Sequence, residues 1–123
     1  MVDRCFRKEE HLLKSSDFKK VYAKGSRYSN KDFVLYVYPT GNRSASNGHG
    51  RRLGLSVGRR LGKAVHRNRI KRLVREVYRA SKVRLIDNVD IVVIPKKTDV
   101  PLSYDRVKSD LEDLFRKSGL DKS

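Results

Sequence analysis

Between Gly58 and Arg84 the chain reads GRRLGKAVHRNRIKRLVREVYRASKVR, with eleven Lys or Arg and a single acid, Glu76. Side chains of this kind at this density hold phosphates. Arg can fork two hydrogen bonds onto a phosphate, whereas Lys offers a point charge. Arg59, Arg60 and Lys63 stand beside Gly58 and Gly62, just ahead of a predicted helix whose first N–H groups also attract phosphate. Arg67, Arg69, Lys71 and Arg72 follow within the helix. Asn68 is the neutral member, able to donate and accept, and so able to read a base edge or a 2′-hydroxyl. One acid in the stretch leaves little room for pairing at i, i+4, so the charge points to a polyanion outside the chain. Two alternatives compete: a merely solvated cationic face, and a membrane-surface or calmodulin-type helix. Against the second, the apolar stripe of this helix is needed to cover a core, and it holds no Trp or Phe anchor.

A second group of residues is aromatic. Phe18 and Tyr22 fall on one predicted helix and Tyr36 on a predicted strand. On the face of Tyr36 the neighbouring strand is expected to show only Gly54 and Ser56, leaving a shallow groove. Rings beside cations suit a single nucleic-acid strand, where stacking contributes about 1–3 kcal/mol per base. The plainer reading is that Phe18, Val21 and Tyr22 simply pack the helix onto a sheet. No catalytic residue is assigned. His11, His49 and His66 are scattered, Cys5 with His11 lacks further metal ligands, and no phosphate-loop pattern occurs. Asp110, Glu112 and Asp113 are expected on outer helix faces. Without a carboxylate cluster or a His pair, neither hydrolysis by the chain itself nor a bound metal is expected.

These residues need elements to position them. Ile70, Leu73, Val74, Val77, Tyr78 and Ser81 recur at helical spacing and predict one buried face on the basic helix. Continuing that face backwards gives Arg67 and Lys63, so the first turns carry charge on every side and are expected to overhang the core. Ser15 or Ser16 opens the first helix and Gly25 ends it. A short extended piece around 26–29 precedes the strand Phe33–Tyr38, and Arg52–Val57 reads as another. Val89–Ile94 suits a strand buried on both faces. Ser103 caps a last helix with Val107, Leu111, Leu114 and Phe115 on one side and Gly119 at its end. The expected class is α+β, a small mixed sheet with helices packed on it. Residues 40–50 read as a polar, glycine-rich loop.

Composition sets the frame. The chain has 123 residues, 37% of them apolar, and a formal charge of +16. One RNA-binding domain over 1–123 is expected, with 1–14 and 119–123 as loosely ordered tails. So high a charge bears on partners rather than fold. No apolar run is long enough to span a bilayer, and the charged N-terminus does not fit a signal peptide. A cytoplasmic protein is expected, and one cysteine precludes an internal disulfide.

The segment LGLSVGRRLGKAVHRNRIKRLVREVYR resembles the bacterial ribonuclease P protein component. The specific part is Arg67-Asn68-Arg69, followed by Ile70-Lys71-Arg72-Leu73 and preceded by Gly62-Lys63-Ala64-Val65. Asp17-Phe18, Val21-Tyr22, Gly25, Phe33-Val34-Leu35-Tyr36 and Leu114-Phe115-Arg116-Lys117 extend the likeness over roughly residues 10–118. The resemblance implies an αβββαβα two-layer sandwich with a four-stranded mixed sheet and a left-handed βαβ crossover. It implies the protein subunit of a ribonucleoprotein endoribonuclease that removes the 5′ leader of precursor tRNA. Catalysis would belong to the RNA subunit, which requires Mg²⁺. Arg59, Arg60, Lys63, Arg67, Asn68, Arg69, Lys71 and Arg72 would face that RNA, one copy to one, and Phe18, Tyr22 and Tyr36 would hold the leader. No protein partner is implied. The competing reading is a structural RNA-binding protein, such as a ribosomal protein, which would not stimulate 5′ tRNA cleavage.

Overall fold

The computed structural model describes residues 15–40, 51–86, 88–97 and 102–121. Residues 1–14, expected to be a loose tail, and the glycine-rich stretch 41–50 lie outside them. Three helices and four strands follow in the order α1 (Ser15–Lys24), β1 (Ser26–Ser29), β2 (Phe33–Pro39), β3 (Arg52–Leu55), α2 (Ala64–Ser81), β4 (Val89–Pro95) and α3 (Tyr104–Lys117). This is the expected α+β order, αβββαβα, with β1 lying where the short extended piece was predicted.

The strands form one mixed sheet in the order β1-β2-β4-β3. β2 pairs antiparallel with both β1 and β4, and β3 pairs parallel with β4. The placement of β4 follows from its composition. Val89, Ile91, Val92 and Val93 are all buried, and a strand apolar on both faces is most stable in the middle of a sheet. One face carries the main core: Phe33, Leu35, Val37, Leu53, Ile91 and Val93 pack with Ile70, Val74, Val77 and Tyr78 of α2 and with Val107, Leu111, Leu114 and Phe115 of α3. The sheet and this helical pair are the two principal layers. α1 lies across the other face, where Val21 and Val92 form a smaller buried cluster.

Both ends of α3 follow the residues that mark them. The Ser103 hydroxyl accepts from the Arg106 N–H at 3.2 Å. At the other end Gly119 has φ +79, and the Gly119 and Leu120 N–H groups return to the Arg116 and Phe115 carbonyls at 3.2 Å and 3.0 Å. This paired closure needs a left-handed residue, hence glycine. The expectation of a loose tail from 119 is corrected here. Leu120 is fully buried, and its carbonyl accepts from the Ile86 N–H at 2.8 Å. Residues 122 and 123 lie outside the described set.

Candidate nucleic-acid interface

The basic segment starts as a single 3-10 turn, Arg59–Leu61, and reaches α2 through Gly62 at φ +113. Few residues other than glycine tolerate that value, so the path from the turn into the helix requires glycine here. Arg59, Arg60, Lys63, Asn68, Arg69 and Arg72 are exposed, while Arg67 and Lys71 are half-buried. Ile70 is the first buried residue of α2, and Ala64, Val65 and His66 ahead of it are exposed. The first two turns therefore stand clear of the core, as the backward extension of the apolar stripe predicts.

Arg67, Asn68 and Arg69 do not share a direction, since successive helical residues turn by about 100°. The Arg67 Nε donates to the Gly62 carbonyl at 3.2 Å, bending back over the turn. The Arg69 Nη1 donates to the Leu102 carbonyl at 2.6 Å, toward the start of α3. Asn68 projects between them into solvent. The three thus fan around the overhanging helix end, and Arg69 also ties α2 to the segment just ahead of α3.

On the opposite face of the sheet the three predicted rings come together. Phe18 and Tyr22 lie 6.3 Å apart, and Tyr22 meets Tyr36 edge-on at 5.0 Å. Val21 does the packing of α1, at full burial, while Tyr22 remains 38% exposed. Arg52 fixes the far side of α1. It forks onto Asp90 at 3.0 Å and 2.9 Å and reaches Asp17 at 3.4 Å.

One expectation about this face is corrected. Gly54 and Ser56 are not beside Tyr36, because β4 lies between β2 and β3 and sets Val92 against Tyr36. The recess opens instead toward the ends of the strands. A groove of about 450 Å³ is lined by Val34, Ser56, Gly58, Arg60, Leu61, Ile94, Pro95, Lys96 and Lys97. Its floor continues the ring-bearing face through Val34 and Ile94, and its wall is the basic turn. Sequence reasoning missed Lys96 and Lys97. Their position directly after Pro95, where the strand ends, was the available signal.

A second correction concerns Asp110, which does not lie on an outer face. It meets Asp32, a residue only 1% exposed in the turn between β1 and β2. Arg106 forks onto both Asp32 oxygens at 2.8 Å and holds that carboxyl below the usual range. Burial, and then the neighbouring Asp32 carboxylate, push Asp110 up to about 6. The Asp110 Oδ2 is buried, with no hydrogen-bond partner among the described residues. A proton on Asp110 gives it one, donated toward Asp32. Asn30 completes the clamp: its amide donates to the Asp110 carbonyl at 3.0 Å and accepts from the Asp32 and Phe33 N–H groups. This pair fastens α3 to the sheet. Among the described residues no group of three or more His, Cys, Asp or Glu is placed to hold a metal ion, and no helix is long and apolar enough to cross a membrane.

Comparison with known proteins fits this arrangement. The Ribonuclease P family model matches residues 6–119. The Bacillus pumilus ribonuclease P protein component is 39% identical over 114 residues, covering 93% of this chain and 92% of that protein. The Shouchella clausii protein of the same name is 42% identical over 113 residues, covering 91% and 88%. The structure of the Staphylococcus aureus RNase P protein superposes with a TM-score of 0.80 at 31% identity, covering 93% of this chain and 99% of that one.

Proposed function

This chain belongs to the ribonuclease P protein family, and from that premise we propose that it is the protein subunit of a cytoplasmic ribonucleoprotein that removes the 5′ leader from precursor tRNA. The basic turn and the overhanging half of α2 bind the catalytic RNA subunit, one protein to one RNA. Arg59, Arg60, Lys63, Arg67, Arg69, Lys71 and Arg72 supply phosphate contacts, and Asn68 reads a base edge or a 2′-hydroxyl. Phe18, Tyr22 and Tyr36 stack the bases of the leader. Hydrolysis itself belongs to the RNA subunit and its Mg²⁺.

The observation that carries this reading is the convergence of two α1 rings, Phe18 and Tyr22, with Tyr36 of β2 into a partly open cluster whose floor runs into a groove walled by Arg60, Lys96 and Lys97. Such a surface fits a single strand rather than a duplex, because only unpaired bases offer free faces to rings. It also separates substrate from product. Mature tRNA has no leader, so the stacking contribution is lost on cleavage, and the product is held less tightly than the precursor.

The direct test is reconstitution with a ribonuclease P RNA at low Mg²⁺. The protein is expected to stimulate 5′ cleavage of precursor tRNA, and a chain that binds the RNA without stimulating cleavage would be a structural RNA-binding protein instead. Within the holoenzyme, Tyr36→Ala is expected to weaken binding of leader-bearing substrate by roughly 5- to 150-fold, the equivalent of about 1–3 kcal/mol. Equal weakening for mature tRNA would remove the leader from the ring cluster.

A further inference from the structure

β1 is an edge strand, and its register with β2 sets Arg27 directly opposite Tyr36. Directly opposed residues of an antiparallel pair project to the same face. Exposure along the strand agrees. Tyr28 packs into the main core on the other face, while Arg27 and Ser29 are exposed. The Arg27 side chain therefore stands on the ring-bearing face, one strand outward from Tyr36, at a spacing of about 5 Å. The carboxylates of this face are already engaged: Asp17 and Asp90 are both held by Arg52. Among the described residues Arg27 has no ion pair.

The arrangement gives the face two cationic ends. Arg60, Lys96 and Lys97 wall the groove beside the end of β3, and Arg27 stands at the β1 edge, with the rings between. We propose that Arg27 is a further leader-binding residue: its guanidinium takes a phosphate next outward from the Tyr22–Tyr36 rings, so that the leader crosses the sheet and leaves over β1. A guanidinium suits this place because it can fork onto a phosphate while its stem lies along the neighbouring ring. The assignment rests on the reading of the rings as the leader site. It goes beyond that reading by giving the strand a direction and an exit.

The test measures binding of precursor and mature tRNA to the reconstituted holoenzyme over a range of salt. Arg27→Ala is expected to make the salt slope for full-leader precursor shallower by about 0.7, one single-strand phosphate contact. It is expected to leave mature tRNA unchanged, and Arg27→Lys should keep the slope. Arg116→Ala, which removes one exposed charge from α3, serves as the control and should change neither. An unchanged slope in Arg27→Ala, while Tyr36→Ala still loses the preference for precursor, overturns the Arg27 assignment and leaves the ring reading standing. Equal losses for both tRNAs, or for the control, reduce Arg27 to general charge and also overturn it. A leader-specific slope change in Arg27→Ala with no effect of Tyr36→Ala would keep the phosphate contact and sink the ring reading.

Discussion

A Cβ at Gly25 would lie 2.5 Å from the Val21 carbonyl oxygen and 2.8 Å from that of Val37. The glycine ends α1, but close approach to two backbone oxygens, rather than a left-handed φ, is what demands it. Gly25→Ala is expected to lower stability by about 1–3 kcal/mol in urea unfolding, through displaced backbone. The same shift would move Phe18 and Tyr22 against Tyr36, so leader discrimination should fall with it. The Asp32–Asp110 pair makes a pH prediction. Asp110 rises from 3.8 to about 6 on folding, so its stabilising share is present below about pH 4 and is lost as pH climbs through about 6. Asp32 is lowered from 3.8, so its share is present above about pH 4 and is lost as pH falls. The clamp is strongest between those limits. Asp110→Asn keeps a donor and removes the titration. Its melting temperature should match the parent near pH 5 and exceed it near pH 7.5. Identical curves for the two proteins at both pH values would dismiss the shared proton.

α2 is two devices in one helix, divided at Ile70. Ile70 is 1% exposed, and Ile70→Ala is expected to cost about 2–4 kcal/mol of stability. Arg67→Ala should stay within about 0.5 kcal/mol of the parent yet weaken assembly with the RNA subunit, as filter binding would report. Arg69→Ala mixes the two effects, because the contact with the Leu102 carbonyl is lost as well. This division was legible in the residues, since burial of Ile70, Val74, Val77, Tyr78 and Ser81 needs only a 3.6-residue period. The neighbourhood of Asp110 was not. It lies three residues after Val107 and four before Leu114, at the rim of the buried face of α3, but its charge suggested solvent. Its actual neighbour, Asp32, is 78 positions away in the chain. The order of strands was hidden for the same reason. Local patterns mark β2, β3 and β4, but they do not show that the last enters between the first two, and so the position of Gly54 and Ser56 relative to Tyr36 was misjudged.

Across the molecule, a formal charge of +16 makes salt the dominant experimental variable. If four to seven of the cations on the basic turn and α2 each engage a phosphate, assembly with the RNA subunit should show a log–log salt slope of roughly −3 to −6. A slope near −1 would confine the contact to one or two residues. The position of β4 has a further consequence, in time rather than space. Synthesis runs from the N-terminus at about 5–20 residues per second. Until Pro95 has emerged, the β1–β2 hairpin and β3 have no common neighbour. Val21 also lacks Val92, the seat of α1. The nascent chain is thus a set of cationic pieces without a core. When β4 inserts, it joins the hairpin to β3 and supplies Val92, the seat of the ring-bearing helix. Both binding surfaces are born together, so a chain halted before residue 95 should possess neither.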